Sequence, residues 1–208
     1  MTLADLDTTH LAAIAAALGW ASGMRLYAVV FLTGLAGYLG WVPLPPGLQP
    51  LSHELVLGAA GLMLVLEFVA DKIPGLDTLW DLVHTVIRVP AGAALAAAVV
   101  GGDSASWALV AALMGGTLAA TAHTAKATTR AAVNTSPEPF SNLGLSLLGD
   151  AAVPALLWLA WTEPLWFFAA LALAVVVALV VTALLFKFLR ALWRRVFSSS
   201  RAQPDGAV

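Results

Sequence analysis

The chain has no cysteine, so disulfides and thiolate metal sites are excluded, and any strong ligand set would rest on histidine and carboxylate. Charge is scarce as well. Asp, Glu, Lys and Arg make up 11% of 208 residues and 61% are hydrophobic, against about 25% and about 45–50% in soluble domains. No Lys or Arg precedes the apolar run Leu11 to Leu18, so the positive leader of a secretory signal is missing and no signal peptide is expected. HExxH, GxSxG and P-loop patterns are absent too, which removes the chemistries those motifs support. No cofactor and no metal site are expected, and no catalytic residue is assigned.

What is present is apolar length. Ala170 to Leu185 is unbroken except for Thr182, and a soluble helix of that length would need a polar face. The expected fold class is all-α: a polytopic integral membrane helical bundle in one domain, 1–190, followed by a basic and then flexible tail, 191–208. A membrane helix needs about 20 mostly apolar residues. Six candidates fit: 10–40, 54–71, 83–101, 106–130, 141–161 and 164–187. The first is long for one span and is interrupted by Gly19, Ser22 and Gly23 around Arg25, so a kinked or re-entrant segment suits it equally.

Orientation follows from Lys and Arg. Five of the ten basic residues (Lys187, Arg190, Arg194, Arg195, Arg201) lie in or beside the tail. That cluster reads as an inner-leaflet anchor rather than a nucleic-acid interface. With it inside and six spans alternating, the outer connections hold Glu54, Asp103 and Glu163 and the inner ones Lys72, Lys126 and Arg130. Both termini are then expected in the cytoplasm, in a bacterial inner membrane. Splitting the spans three and three gives halves of opposite orientation, and "LVLEFVADKIPGLDTLW" loosely echoes "LSLLGDAAVPALLWLAW". Two inverted three-segment halves are an arrangement common in transporters.

Charge inside the spans is the main functional signal, because a charge at the bilayer centre costs about 2.5–3.5 kcal/mol on insertion scales. Glu67 and Asp71 share a helix face, and His123, Lys126, Arg130 and Asn134 form a stripe at spacings of three, four and four. Asp77, Asp81, His84 and Arg88 form another polar stripe, for which a solvated face of an amphipathic interfacial helix is the favoured reading. In the connection "NTSPEPFSN", Asn134 to Asn142, Ser141 or Asn142 suits the cap of the next span. Glu138 is harder to explain unless it meets Lys126, Arg130 or a ligand.

The segments "GWASGMRLY", "LEFVADKIPGLDTLWDLVHTVIRVPAGA" and "KATTRAAVNTSPEPFSN" resemble the bacterial integral membrane family numbered 4126 among the domains of unknown function. The resemblance covers roughly residues 12–185 and implies a small multi-span membrane protein, with no activity to carry over.

The leading expectation is a transporter or channel-like permease for a small anionic solute, with a cavity lined by Arg25, Glu67, Asp71, Lys126, Arg130, Asn134, Glu138 and Asp150. The competing structural reading is mutual neutralisation, since Arg25 to Asp150 holds acids and bases in near balance. A membrane enzyme acting on a lipid or isoprenoid phosphate would use Asp77 and Asp81 for a divalent cation and Lys126 and Arg130 for phosphate. A scaffold subunit, packed through small residues such as Gly115-Gly116, is the third reading.

Overall fold

The computed structural model describes residues 2–73, 75–101, 104–135 and 139–199, with side chains for all of these except 139, 142 and 195–199. The described residues form helices and no strands: α1 (Thr8–Tyr38), α2 (Glu54–Ala70), α3 (Leu76–Val100), α4 (Ala105–Val133), α5 (Pro139–Thr162) and α6 (Pro164–Ser199), with 3-10 turns at Leu3–Asp5 and Pro46–Ser52. Five of these helices are long and apolar enough to cross a membrane. The turn Pro46–Ser52 and α2 form a sixth candidate, bent by 70°. Outward-facing Leu55, Val86, Leu165 and Trp166 are each more than 70% exposed, while Arg25, Glu67, Asp71 and Arg88 are buried. That inversion of the soluble pattern is stable only where lipid covers the outer face. The chain is therefore a multi-span membrane protein.

Helix ends follow local chemistry. Asp7 caps α1 by accepting the His10 N–H at 2.9 Å, and this bond, with a second from the His10 ring, holds its carboxyl below the usual range. His53 Nδ1 accepts the Leu55 N–H at 3.2 Å and opens α2. Gly75 has φ +88° where the chain turns into α3, a conformation that L side chains avoid. Asp77 then accepts the N–H groups of Gly75 and Thr78 at 2.8 and 2.6 Å. Helix α5 begins at Pro139 rather than beyond a Ser141 or Asn142 cap. Proline suits that first position, having no N–H to leave unbonded.

Helix α1 sits at the centre, apolar and buried on every side from Ala13 to Gly23. Its break lies at Arg25 itself, at φ −148° and ψ 85°. Before the break, Gly19 lies against Gly115 and Gly23 against Ala119. The Met24 carbonyl then accepts from Lys126 Nζ at 2.9 Å. This arm runs in the direction of α4. After the break, Arg25 pairs with Asp71 at 3.0 Å, Phe31 lies beside Gly61, and Gly34 lies against Leu51 and Leu57. This arm runs against α2.

Helices α3 and α4 are antiparallel, as Thr85 meets His123 at one level and Gly92 meets Gly115 at another. Arm one therefore opposes α3. Arm two follows it, from Tyr27 beside His84 to Gly47, just beyond the arm, against Ala98. Helix α1 is thus a V with Arg25 at its vertex and both ends at one end of the bundle. The expected interruption by Gly19, Ser22 and Gly23 gives way to a different use of those residues. The glycines admit neighbouring backbone, and Ser22 bonds back to the Leu18 carbonyl at 2.5 Å while the helix continues.

The polar stripe from Asp77 to Arg88 and the span expected from 83 form one helix, α3, which starts at Leu76 with its polar residues facing the protein and its apolar ones outward. Helix α6 continues to Ser199. The echoing segments "LVLEFVADKIPGLDTLW" and "LSLLGDAAVPALLWLAW" bring Asp71 and Asp150 to the same atom, Arg25 Nη2.

A methyl group at Gly23 would run into the Ala119 carbonyl, whereas one at Gly58 meets nothing within 4 Å. Gly23→Ala is expected to lower stability by about 1–3 kcal/mol, and Gly58→Ala to raise it by about 0.5–1 kcal/mol through helix propensity. Denaturant titration in mixed micelles measures both. A Gly23→Ala protein as stable as the parent would refute the backbone contact between α1 and α4.

Candidate functional site

Five helices deliver charge to one end of the bundle. The last turn of α2 and its cap carry Glu67 and Asp71, followed by Lys72. The first turns of α3 present Asp77, Asp81, His84 and Arg88 at helical spacing, all buried. The last turns of α4 present His123, Lys126, Arg130 and its cap Asn134. The vertex of α1 brings Arg25, and α5 brings Ser146 and Asp150. The expected solvated stripe on α3 is instead an inward one. Lipid reverses which face of an amphipathic helix is buried, and the periodicity is the same either way.

Asp71 is the hub. Its Oδ1 lies 2.7 Å from Arg130 Nη1, and its Oδ2 lies 3.0 Å from Arg25 Nη2 and 3.1 Å from Lys126 Nζ. Asp81 shares two of those cations: Arg130 Nη1 lies at 3.2 Å and Lys126 Nζ at 3.3 Å, with Arg88 Nη1 added at 2.7 Å. Arg88 reaches onward through Nη2 to Glu67 Oε1 at 2.8 Å. At the edge, Asp150 joins Arg25 at 2.9 Å to Lys72 at 3.0 Å. Every one of these cations has a carboxylate within hydrogen-bond reach, as burial of charge requires.

Two histidines extend the polar core, and their partners fix where a ring proton sits. His84 Nδ1 lies 2.8 Å from the Trp80 carbonyl, which only accepts, so Nδ1 carries a proton, and Nε2 lies 3.1 Å from Tyr27 Oη. Its ring stacks on Trp80 at 4.2 Å. His123 Nδ1 faces Arg88 Nη1 at 3.2 Å, which only donates. Its Nε2 therefore donates to Thr85 Oγ1 at 2.8 Å, and Thr85 donates to the Asp81 carbonyl at 2.8 Å.

Beside the hub, α1, α4 and α5 line a half-open cavity of about 160 Å³. Arg25, Asp71, Lys126, Arg130 and Ser146 form its polar wall, and Trp20, Met24, Leu145 and Leu148 its apolar one. Arg25 is 2% exposed and donates through Nη2 to the Ser146 carbonyl and hydroxyl at 3.1 and 3.0 Å. Its Nη1 is buried with no hydrogen-bond partner among the described residues.

Four of the expected cavity residues, Arg25, Asp71, Lys126 and Arg130, line this space. Glu67 lies deeper, on Arg88. Asp150 touches the cavity only through Arg25. Asn134 is at the far edge, donating to the Asp77 carboxylate at 3.2 Å and to Thr78 Oγ1 at 3.1 Å. Glu138 lies outside the described residues. Asp77 and Asp81 do not converge as a cation-binding pair, because Asp77 is engaged by Asn134 and α3 backbone, and Asp81 by Arg88, Lys126 and Arg130. Among the described residues, no group of three or more His, Asp or Glu side chains is placed to hold a metal. Ser146 and Trp20 were not singled out from the sequence. A lone serine in a leucine-rich helix and a tryptophan in an apolar one carry no spacing signal.

The sequence profile of the family described as Domain of unknown function (DUF4126) matches residues 12–184, and the chain belongs to that family. No curated protein matches the chain, and no solved structure does.

Removing one member of a buried ion pair strands its partners, at about 3–5 kcal/mol. Asp71→Asn, which leaves Arg25, Lys126 and Arg130 short of charge, is expected to cost about that much. Asp150, 22% exposed, is screened by solvent, so Asp150→Asn is expected to cost less. Thermal unfolding of the two purified variants ranks them. Equal losses would mean that Asp71 is not the hub.

Proposed function

We propose that this member of the DUF4126 family is a permease-type protein of the bacterial inner membrane whose cavity binds an anionic group. The observation that carries the reading is Arg25 Nη1, a guanidinium donor buried without a partner among the described residues, on a side chain that lines the cavity together with Lys126 and Arg130. A buried donor left unsatisfied costs about 1–3 kcal/mol and more when charged, and an anionic oxygen at that position would satisfy it. Non-helical backbone at membrane depth is tolerated where it lines a cavity, and the break at Arg25 meets that condition. Ligands at broken helices near repeat interfaces are a recurring transporter arrangement.

The alternative that a specific observation favours is a closed, structural ion-pair network, since each cation already has a carboxylate. Arg25→Lys separates the two. Lysine keeps the charge and the bond to Asp71 and loses the second arm. The variant is expected to fold, with a melting temperature near the parent's, and to lose most of the stabilisation that millimolar inorganic phosphate gives the parent at constant ionic strength. Absence of any phosphate effect on the parent would leave only the structural network.

Membrane orientation belongs to the same reading. Lys72, Lys126 and Arg130 gather at the bundle end where α6 finishes with Lys187, Arg190 and Arg194, and the positive-inside rule makes that end cytoplasmic. Helices α2 to α6 each cross, and the V of α1 does not. On this reading the N-terminus, with Asp5 and Asp7 and no basic residue, lies outside, where the sequence alone led to the expectation of two cytoplasmic termini. Topology reporters fused at each end are expected to give opposite signals, the C-terminal one cytoplasmic. Matching signals would refute the V as a non-crossing element.

A further inference from the structure

Resting on the anion-binding reading, we infer that the anion is the head group of an amphiphile that reaches the cavity sideways from the bilayer, between α4 and α5. These helices follow one another in sequence and yet diverge. Helix α5 packs mainly on α1, and α4 packs on α3, α1 and α6, so α4 and α5 barely touch each other directly. Leu145 and Leu148 of α5 and Ala122, Ala125 and Thr129 of α4 line the cavity from the two sides of that gap.

That rim continues the lipid-facing surface. Leu148 is 66% exposed and its neighbour Leu147 49%. A hydrated ion would have to pass over leucine to reach Arg25, whereas an amphiphile would leave its chain there. The inner wall is of opposite character, with three cations against one carboxylate, Asp71. Its depth also suits a head group, since Lys126 and Arg130 stand in the last two turns of α4, and basic pockets between helices at the cytoplasmic side bind anionic head groups.

Size decides how the ligand divides. About 160 Å³ holds a phosphate or carboxylate head and leaves no room for an acyl chain, which must therefore lie outside, along Leu145 and Leu148. The shared chemistry is an anionic oxygen cluster on Arg25 Nη1 and Lys126. Whether it arrives free or attached to a chain is what the experiment separates.

The full-length protein in phosphatidylcholine nanodiscs would be melted with increasing aqueous inorganic phosphate or with increasing phosphatidic acid in the bilayer. Phosphatidic acid is expected to give the same rise in melting temperature at no more than one-tenth of the total phosphate. Arg25→Lys should remove that rise, which also controls for general surface charge. Leu148→Trp, at an exposed position on the cavity rim, should weaken the response to phosphatidic acid about ten-fold and that to inorganic phosphate by much less. Equal potency of the two probes, or equal loss of both in Leu148→Trp, would overturn lateral access while leaving anion binding intact. No response to either probe would remove both readings. A phosphatidic acid effect that survives in Arg25→Lys would assign it to the bilayer surface and defeat the proposal.

Discussion

A charge in hydrocarbon cannot be left alone, and this bundle is organised around that constraint. Asp71 and Asp81 each bind Lys126 and Arg130, so the end of α2, the start of α3 and the end of α4 are tied at one level. Arg25 joins α1 and α5 to the same knot. Elsewhere the helices meet mainly through small residues, where Gly19, Gly92 and Gly115 allow backbones to touch. Such contacts bring helices close without selecting one registry among the many that an alanine-rich surface allows. The ion pairs supply that selection, since sliding one helix by a turn would separate several charges from their partners at once.

Much of this was legible in the sequence, for reasons that differ by residue. Hydropathy locates the spans because lipid demands unbroken apolar length. Helical periodicity puts Glu67 with Asp71, and Lys126 with Arg130 and Asn134. The partners across helices were not legible, because charge balance says that acids and bases meet and not which ones. The stripe from Asp77 to Arg88 illustrates the ambiguity of amphipathicity in a membrane protein: the same spacing describes a face turned to water and a face turned to other helices. Arg25 illustrates another. Glycine is both a breaker and the residue that lets helices touch, and in α1 the glycines do the second while an arginine sits at the break.

The balance between closure and openness is the chemical character of the site. Five cations and the carboxylates of Glu67, Asp71, Asp77, Asp81 and Asp150 bring formal charge to zero over the described cluster. Hydrogen-bonding capacity is not balanced in the same way, since Arg25 Nη1, Arg88 Nε and Glu67 Oε2 are buried without partners among the described residues. Those unfilled valences are what distinguish a network that only holds helices from one that has capacity for a ligand. Arg25, which carries one of them, lines the cavity.

The V of α1 also bears on how the chain is made. Synthesis delivers this segment before α3, α4 and α5, and yet its arms are enclosed by them. Until residue 71 exists, and then residue 150, Arg25 has neither of the carboxylates that it binds in the finished protein. A segment made before the helices that enclose it is therefore among the last that can reach its final place. In this protein the order of translation and the order of assembly are opposed.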